Sequence, residues 1–143
     1  MKTTGLFFAV GAAVTWGLVY TLDQKLLTKL SPVSLLFVNS VLSLLATAPF
    51  LLWRTGSLVR MITTTRSHFG LVAGSLALAV VANYFIYSAI RLLGASTAST
   101  FEITYPFFVV VFSALLLREA VTLPFLVGAL LISVGVFLIL KLG

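Results

Sequence analysis

The chain has 143 residues, of which 61% are hydrophobic and only 8% charged, whereas soluble domains carry about 25% charged residues. That balance excludes a soluble domain and defines an integral membrane protein. The net charge of +6 would point to nucleic acid in a soluble protein, but the nine Lys and Arg flank apolar runs as anchors and topology signals, and with no cysteine and one histidine neither a disulfide framework, a metal centre nor a cofactor site is expected.

Thr3 to Leu22 carries no charge over 20 residues, enough for one helical crossing of a ~30 Å hydrocarbon core. Lys2 with the small residues Gly11 to Ala13 also fits a signal peptide. The run continues past that cleavage point and four more membrane-length segments follow, which favours a first span over about 3–22. On it Trp16 and Tyr20 share a face at i, i+4.

Asp23 to Ser31 reads as a short polar connection with Lys25 and Lys29, and Pro32 suits the first turn of the next helix. Span two covers about 32–53. Its polar stripe, Asn39, Ser43 and Thr47, predicts hydrogen bonding to neighbouring helices rather than exposure to lipid. Arg54 to His68, with Arg60, Arg66 and several threonines, reads as the principal loop, ending in a solvated His68.

Span three, about 69–90, opens with Gly70 and Gly74, a G-x-x-x-G spacing that lets helices approach closely. Further along, Asn83 and Tyr87 share one face, and Tyr84, Ser88 and Arg91 an adjacent one. Only Leu92 to Gly94 separates it from span four, which predicts a helical hairpin.

Span four, about 95–117, holds Glu102 and Pro106. An acid within the bilayer is expensive and marks a functional site by default. Pro106 removes the N–H that would bond the Glu102 carbonyl, so the helix is expected to bend at the acid. Glu102, Tyr105, Pro106, Val109 and Ser113 fall on one stripe, predicted to face a cavity. From Ser96, Glu102 lies about 9 Å along the axis, past the interface and short of the midplane. After Arg118 and Glu119, expected to be a surface pair, a Thr-Leu-Pro turn leads to span five, about 124–140, with Gly128 and Gly135 on a small-residue seam suited to helix contact.

With the N-terminus cytoplasmic, Lys2, Arg54, Arg60, Arg66 and Arg118 lie inside, and Lys25, Lys29, Arg91 and Lys141 outside. A difference of one cation specifies orientation weakly. Five spans also put the termini on opposite sides, so two copies in opposite orientation would form an inverted repeat of the kind transporters use.

The segments TWGLVY, LSPVSLLFVNS, YSAIRLLGASTAS and YPFFVVVFSALLLREAVTLPFLVGALLISVGVFLI resemble the EamA domain of the drug/metabolite transporter superfamily over essentially the whole chain. The resemblance implies an all-α fold of five transmembrane helices forming one EamA-like repeat unit, 1–143, multi-pass in a bacterial-type cytoplasmic (inner) membrane. Most family members carry two such domains in inverted orientation and move metabolites, amino acids or drugs. A single domain is similar in that respect to the four-helix small multidrug resistance proteins, which act as antiparallel dimers. The expectation is therefore a half-size secondary transporter of a small metabolite or organic cation, paired with itself or a paralogue. Glu102 is not a general family residue, so its role rests on its own chemistry.

A carboxylate in a cavity can trade a proton for a cation, and the aromatic faces of Trp16, Tyr20, Tyr84, Tyr87 and Tyr105 attract cations by about 0.5–2 kcal/mol each. Two plainer readings compete: the aromatics as interfacial anchors, and Glu102 paired with Arg91. Alternative functions are a lipid-carrier flippase component and a non-transporting membrane subunit. Enzymatic activity is not expected, because no nucleophile is paired with a base.

Overall fold

The computed structural model describes residues 2–53 and 55–142, with side chains for residues 4–53 and 61–141. Every regular element among them is helical: α1 (Lys2–Leu27), α2 (Pro32–Trp53), α3 (Thr55–Ser67), α4 (Phe69–Leu93), α5 (Ala95–Glu102), α6 (Tyr105–Phe112), a π-helical turn (Ser113–Leu117) and α7 (Leu123–Leu142). Five stretches are long and apolar enough to cross a membrane: Thr4–Leu27, Pro32–Trp53, Phe69–Leu93, Ala95–Leu117 and Leu123–Lys141.

Helix α1 runs on to Leu27, so Asp23, Gln24 and Lys25 are helical rather than part of a connection. Charge marks where a chain nears the membrane surface, but it does not stop a helix, since Gln24, Lys25, Leu26 and Leu27 are good helix formers and carry it past Asp23. Only Thr28 to Ser31 joins α1 to α2. Ser31 caps the second helix: its Oγ accepts the Ser34 N–H at 3.0 Å, an N-cap bond to an otherwise orphaned donor.

The expected loop at Arg54–His68 is also corrected. It holds the 13-residue helix α3, while Arg54 lies outside the described residues. Thr and Ser cost at most about 0.7 kcal/mol each in a helix, and a backbone near lipid gains by closing its own hydrogen bonds. His68 is exposed, its Nδ1 within 2.9 Å of Ser67 Oγ and 3.1 Å of the Thr64 carbonyl.

Between α4 and α5 stands a single residue, Gly94. Its φ of 83° and ψ of 160° lie in a region that essentially only glycine occupies. Its N–H bonds Ile90 O at 2.9 Å and its carbonyl accepts from Ala98 N at 3.0 Å, so one residue closes one helix and opens the next. Gln24 supports the junction from α1, its Oε1 accepting the Ala95 N–H at 2.7 Å.

Around this junction sits the packed core: Leu27, Leu35, Tyr87, Ile90, Ala95 and Ala98, flanked by Tyr20, Leu30, Leu36, Ile86 and Ala89. Lipid tails are as apolar as leucine, so this end is held by close packing and hydrogen bonds rather than by a hydrophobic driving force. On α7, Ala129 and Val136 are buried, and that helix packs on α5.

Among the described residues the glycine seams are not helix crossings. A Cβ added at Gly70, Gly74, Gly128 or Gly135 would meet nothing within 4 Å. The small-residue spacing is present, but no helix occupies it among the described residues.

The fourth span is interrupted. Helix α5 stops at Glu102, Ile103 and Thr104 form a turn, and α6 begins at Tyr105. Pro106, in the first turn of α6, has no N–H to give the Glu102 carbonyl. Thr104 N bonds instead to Phe101 O at 3.2 Å, the tighter spacing of a helix end. The span closes on the π turn, after which Arg118 takes a left-handed conformation with φ 57°.

Candidate functional site

Four helices meet at one depth. Tyr20 stands seven residues before the end of α1 at Leu27, Asn39 seven after the start of α2 at Pro32, Tyr87 six before the end of α4 at Leu93, and Glu102 seven after the start of α5 at Ala95. At about 1.5 Å per residue, each lies roughly 10 Å in from the end that carries Gly94. Two hydrogen bonds cross between helices there. Tyr20 donates to Glu102 Oε2 at 2.5 Å, and Asn39 Nδ2 donates to the Tyr87 hydroxyl at 2.9 Å.

Helix phase sorts α1 into two stripes. Tyr20, Gln24 and Leu27 turn toward the junction of α4 and α5. Ala12, Thr15, Trp16, Val19, Asp23 and Leu26 line a cavity of about 840 Å³, which Leu36, Asn39, Ser40 and Ser43 of α2 and Asn83 and Tyr87 of α4 complete. The core therefore closes one end of the domain, and the cavity lies beside it, between α1, α2 and α4.

Of the residues singled out from sequence, Trp16, Asn83 and Tyr87 share this cavity. The rings of Trp16 and Tyr20 lie 5.6 Å apart and tilted by 54°, so the cavity and the Tyr20–Glu102 pair adjoin through two aromatic faces. Asn83 donates to Ala79 O at 2.8 Å, and Tyr87 is buried.

The stripe from Glu102 to Ser113 does not hold together. Across the turn at Ile103 and Thr104, Glu102, Pro106 and Ser113 are half-buried, Glu102 toward α1, while Tyr105 and Val109 are exposed. Tyr84 is exposed, its ring 6.1 Å from that of Phe85. Among the described residues Glu102 pairs with Tyr20 and not with Arg91, which instead lines a cleft of about 310 Å³ with Gln24, Thr28 and Gly94.

Asp23 is the residue that sequence reasoning missed. Read as part of a connection, it is 4% exposed and lines the cavity. The signal was available in its position seven after Trp16, two turns along the same face of α1. Among the described residues no three of His, Cys, Asp and Glu gather as metal ligands.

A polytopic helical protein with a helix broken at an acid, and with a polar and aromatic cavity between spans, has the architecture of a membrane transporter. The chain belongs to the EamA-like transporter family, whose family model matches residues 3–141. Five spans over that match correspond to one EamA unit. No match was found among curated proteins or among solved structures.

Proposed function

We propose that this unit is a half-size, proton-coupled secondary transporter of a small metabolite or organic cation. The reading is carried by the Tyr20–Glu102 hydrogen bond at the broken helix. A membrane acid held by a phenol on a neighbouring helix is titratable, positioned and attached to a discontinuous span. Those three properties let protonation of one group alter the packing of two helices. The adjoining cavity of about 840 Å³ lies within the ~300–1,000 Å³ of small-molecule sites. Trp16 and Tyr87 in it, with Tyr20 alongside, offer faces to a cation.

Two units in opposite orientation, in a bacterial-type cytoplasmic membrane, would supply the inverted repeat that alternating access uses. Support comes from the nearly even split of cations and from the open glycine faces on α4 and α7, which are free to receive a second copy or a paralogue.

The test is a flux measurement. Purified protein in liposomes loaded with a pH-sensitive dye is given tetraphenylphosphonium as a lipophilic cation on one side. Cation-driven proton movement that depends on the protein supports the reading. Protein-free and protein-containing liposomes that behave alike, for this probe and for a panel of amines, would remove it in favour of a non-transporting membrane subunit.

A further inference from the structure

Asp23 is the buried acid that the Tyr20–Glu102 reading leaves unused. It is 4% exposed, its Oδ2 has no hydrogen-bond partner, and no ion pair involves it among the described residues. Its position four residues before Leu27, the end of α1, is unfavourable as well, because the last carbonyls of a helix carry partial negative charge. Burial and helix polarity both make an unpaired carboxylate here costly. Nothing in the packing explains it.

The cavity around it supplies the missing partner's description. Among the described residues no Lys, Arg or His lines it, so none of them faces the carboxylate as a built-in cation there. Four of its polar side chains already spend a hydrogen inside the protein: Thr15 on Gly11 O, Ser40 on Leu36 O, Asn39 on Tyr87 and Asn83 on Ala79 O. The hydroxyls of Thr15 and Ser40 have no second hydrogen to give, and all four oxygens keep capacity to accept. Ser43, Tyr87 and the Trp16 ring also line it, and the remaining wall, Ala12, Val19, Leu22, Leu26 and Leu36, is apolar. A ligand suited to such walls donates hydrogen bonds, carries positive charge and has an apolar body.

We infer that Asp23 anchors the ammonium group of an apolar primary amine in the cavity between α1, α2 and α4. The inference rests on the transport reading and divides its labour between two acids. Asp23 seats the cation, while Glu102, bonded to Tyr20 on the other stripe of α1, carries the proton.

The probe is benzylammonium, titrated calorimetrically into the purified full chain, with benzyl alcohol as its neutral counterpart. Wild-type protein is expected to bind the amine saturably and the alcohol far more weakly. Asp23→Asn is expected to weaken the amine by about tenfold or more, the loss of a charge-assisted contact, while Glu102→Gln holds it within about threefold. Because Asp23→Asn can fail to fold, a second measurement uses wild-type protein alone. A hydrophobic carbodiimide labels Asp23, located by peptide mass, and benzylammonium is expected to protect that site. No saturable binding up to about 10 mM, the weak end of small-ligand affinity, overturns the inference, as does labelling of Asp23 unaffected by the amine. Binding lost in Glu102→Gln but kept in Asp23→Asn would also overturn it, and would leave the transport reading standing with the cation on Glu102.

Discussion

The hydroxyl of Tyr20 donates to Glu102 Oε2 at 2.5 Å, joining α1 to the residue at which the fourth span breaks. The two lie 82 residues apart in sequence, yet each stands seven residues from the same end of the domain, so equal depth in the membrane brings them together. Tyr20→Phe deletes the donor and leaves the ring against Trp16. Side-chain hydrogen bonds within membranes average about 0.6 kcal/mol and reach about 1.7, too little to unfold the domain. The variant is therefore expected to keep its expression level and thermal midpoint within a few degrees while its proton-coupled flux falls. A variant that stays folded and transports as the wild type does would show that the bond has no part in coupling.

Gly94 is expected to be far less tolerant than the seam glycines. Its backbone, φ 83° and ψ 160°, belongs to a region that costs a residue with a Cβ about 1–3 kcal/mol, although Gln24 stands 3.8 Å away and leaves room for a methyl group. Gly94→Ala is expected to lower stability through the backbone alone. The check is a thermal or denaturant midpoint in detergent, compared with Gln24→Ala, which removes the acceptor for the Ala95 N–H without straining the turn.

The spans were legible in the sequence because apolar length is set directly by bilayer thickness. The break after Glu102 follows as simply from the missing N–H of Pro106. Helix ends near the surface were not legible: Asp23 to Lys25 mark the boundary by charge, but the backbone continues through it. The facing of each stripe was hidden for a different reason. Spacing puts Trp16 with Tyr20 and Asn83 with Tyr87, but the rotation of each helix is set by packing against Leu35, Ile90 and Ala98, residues with no distinguishing chemistry. For that reason Tyr105 and Tyr84, equal candidates by composition, stand outside the cavity. Gly74 and Gly128 show the same limit, since spacing announces a close approach and does not say whose helix approaches.

At those glycines the structure separates two outcomes. A Cβ at Gly74 or Gly128 meets nothing within 4 Å among the described residues, so Gly74→Leu and Gly128→Leu are expected to leave the folded unit within about 0.5 kcal/mol of wild type, as surface changes do. If a second copy packs on these faces, the dimer fraction measured by crosslinking in native membranes falls. A dimer fraction unchanged in both variants would assign the two faces to lipid.

Orientation offers an independent check on the antiparallel reading. Because the flanking cations divide five to four between the two sides, C-terminal reporter fusions are expected to reveal both orientations, with the balance moved by a single added Lys near either terminus. A C-terminus found on one side only, and unmoved by added charge, would rule out dual insertion and require a paralogue for the opposite half.

Glu102→Gln tests whether the acid couples fluxes or holds helices together. The amide keeps the length and shape of the side chain, and its oxygen still accepts the Tyr20 hydrogen, so α1 and α5 are expected to remain joined and the protein to fold. What the amide lacks is a proton to exchange. In liposomes, cation-driven proton release is expected to vanish, and an imposed proton gradient is expected to drive no uptake. Glu102→Asp separates charge from reach. It keeps the titratable group but is shorter by one carbon–carbon bond, roughly 1.5 Å, which is enough to break contact with Tyr20. Residual coupled transport in Glu102→Asp, set against none in Glu102→Gln, would show that the charge carries the coupling and that the Tyr20 bond tunes it. Normal transport by Glu102→Gln under an imposed gradient would make Glu102 a structural acceptor for Tyr20, and the unit would then be a facilitator whose one remaining membrane acid is Asp23.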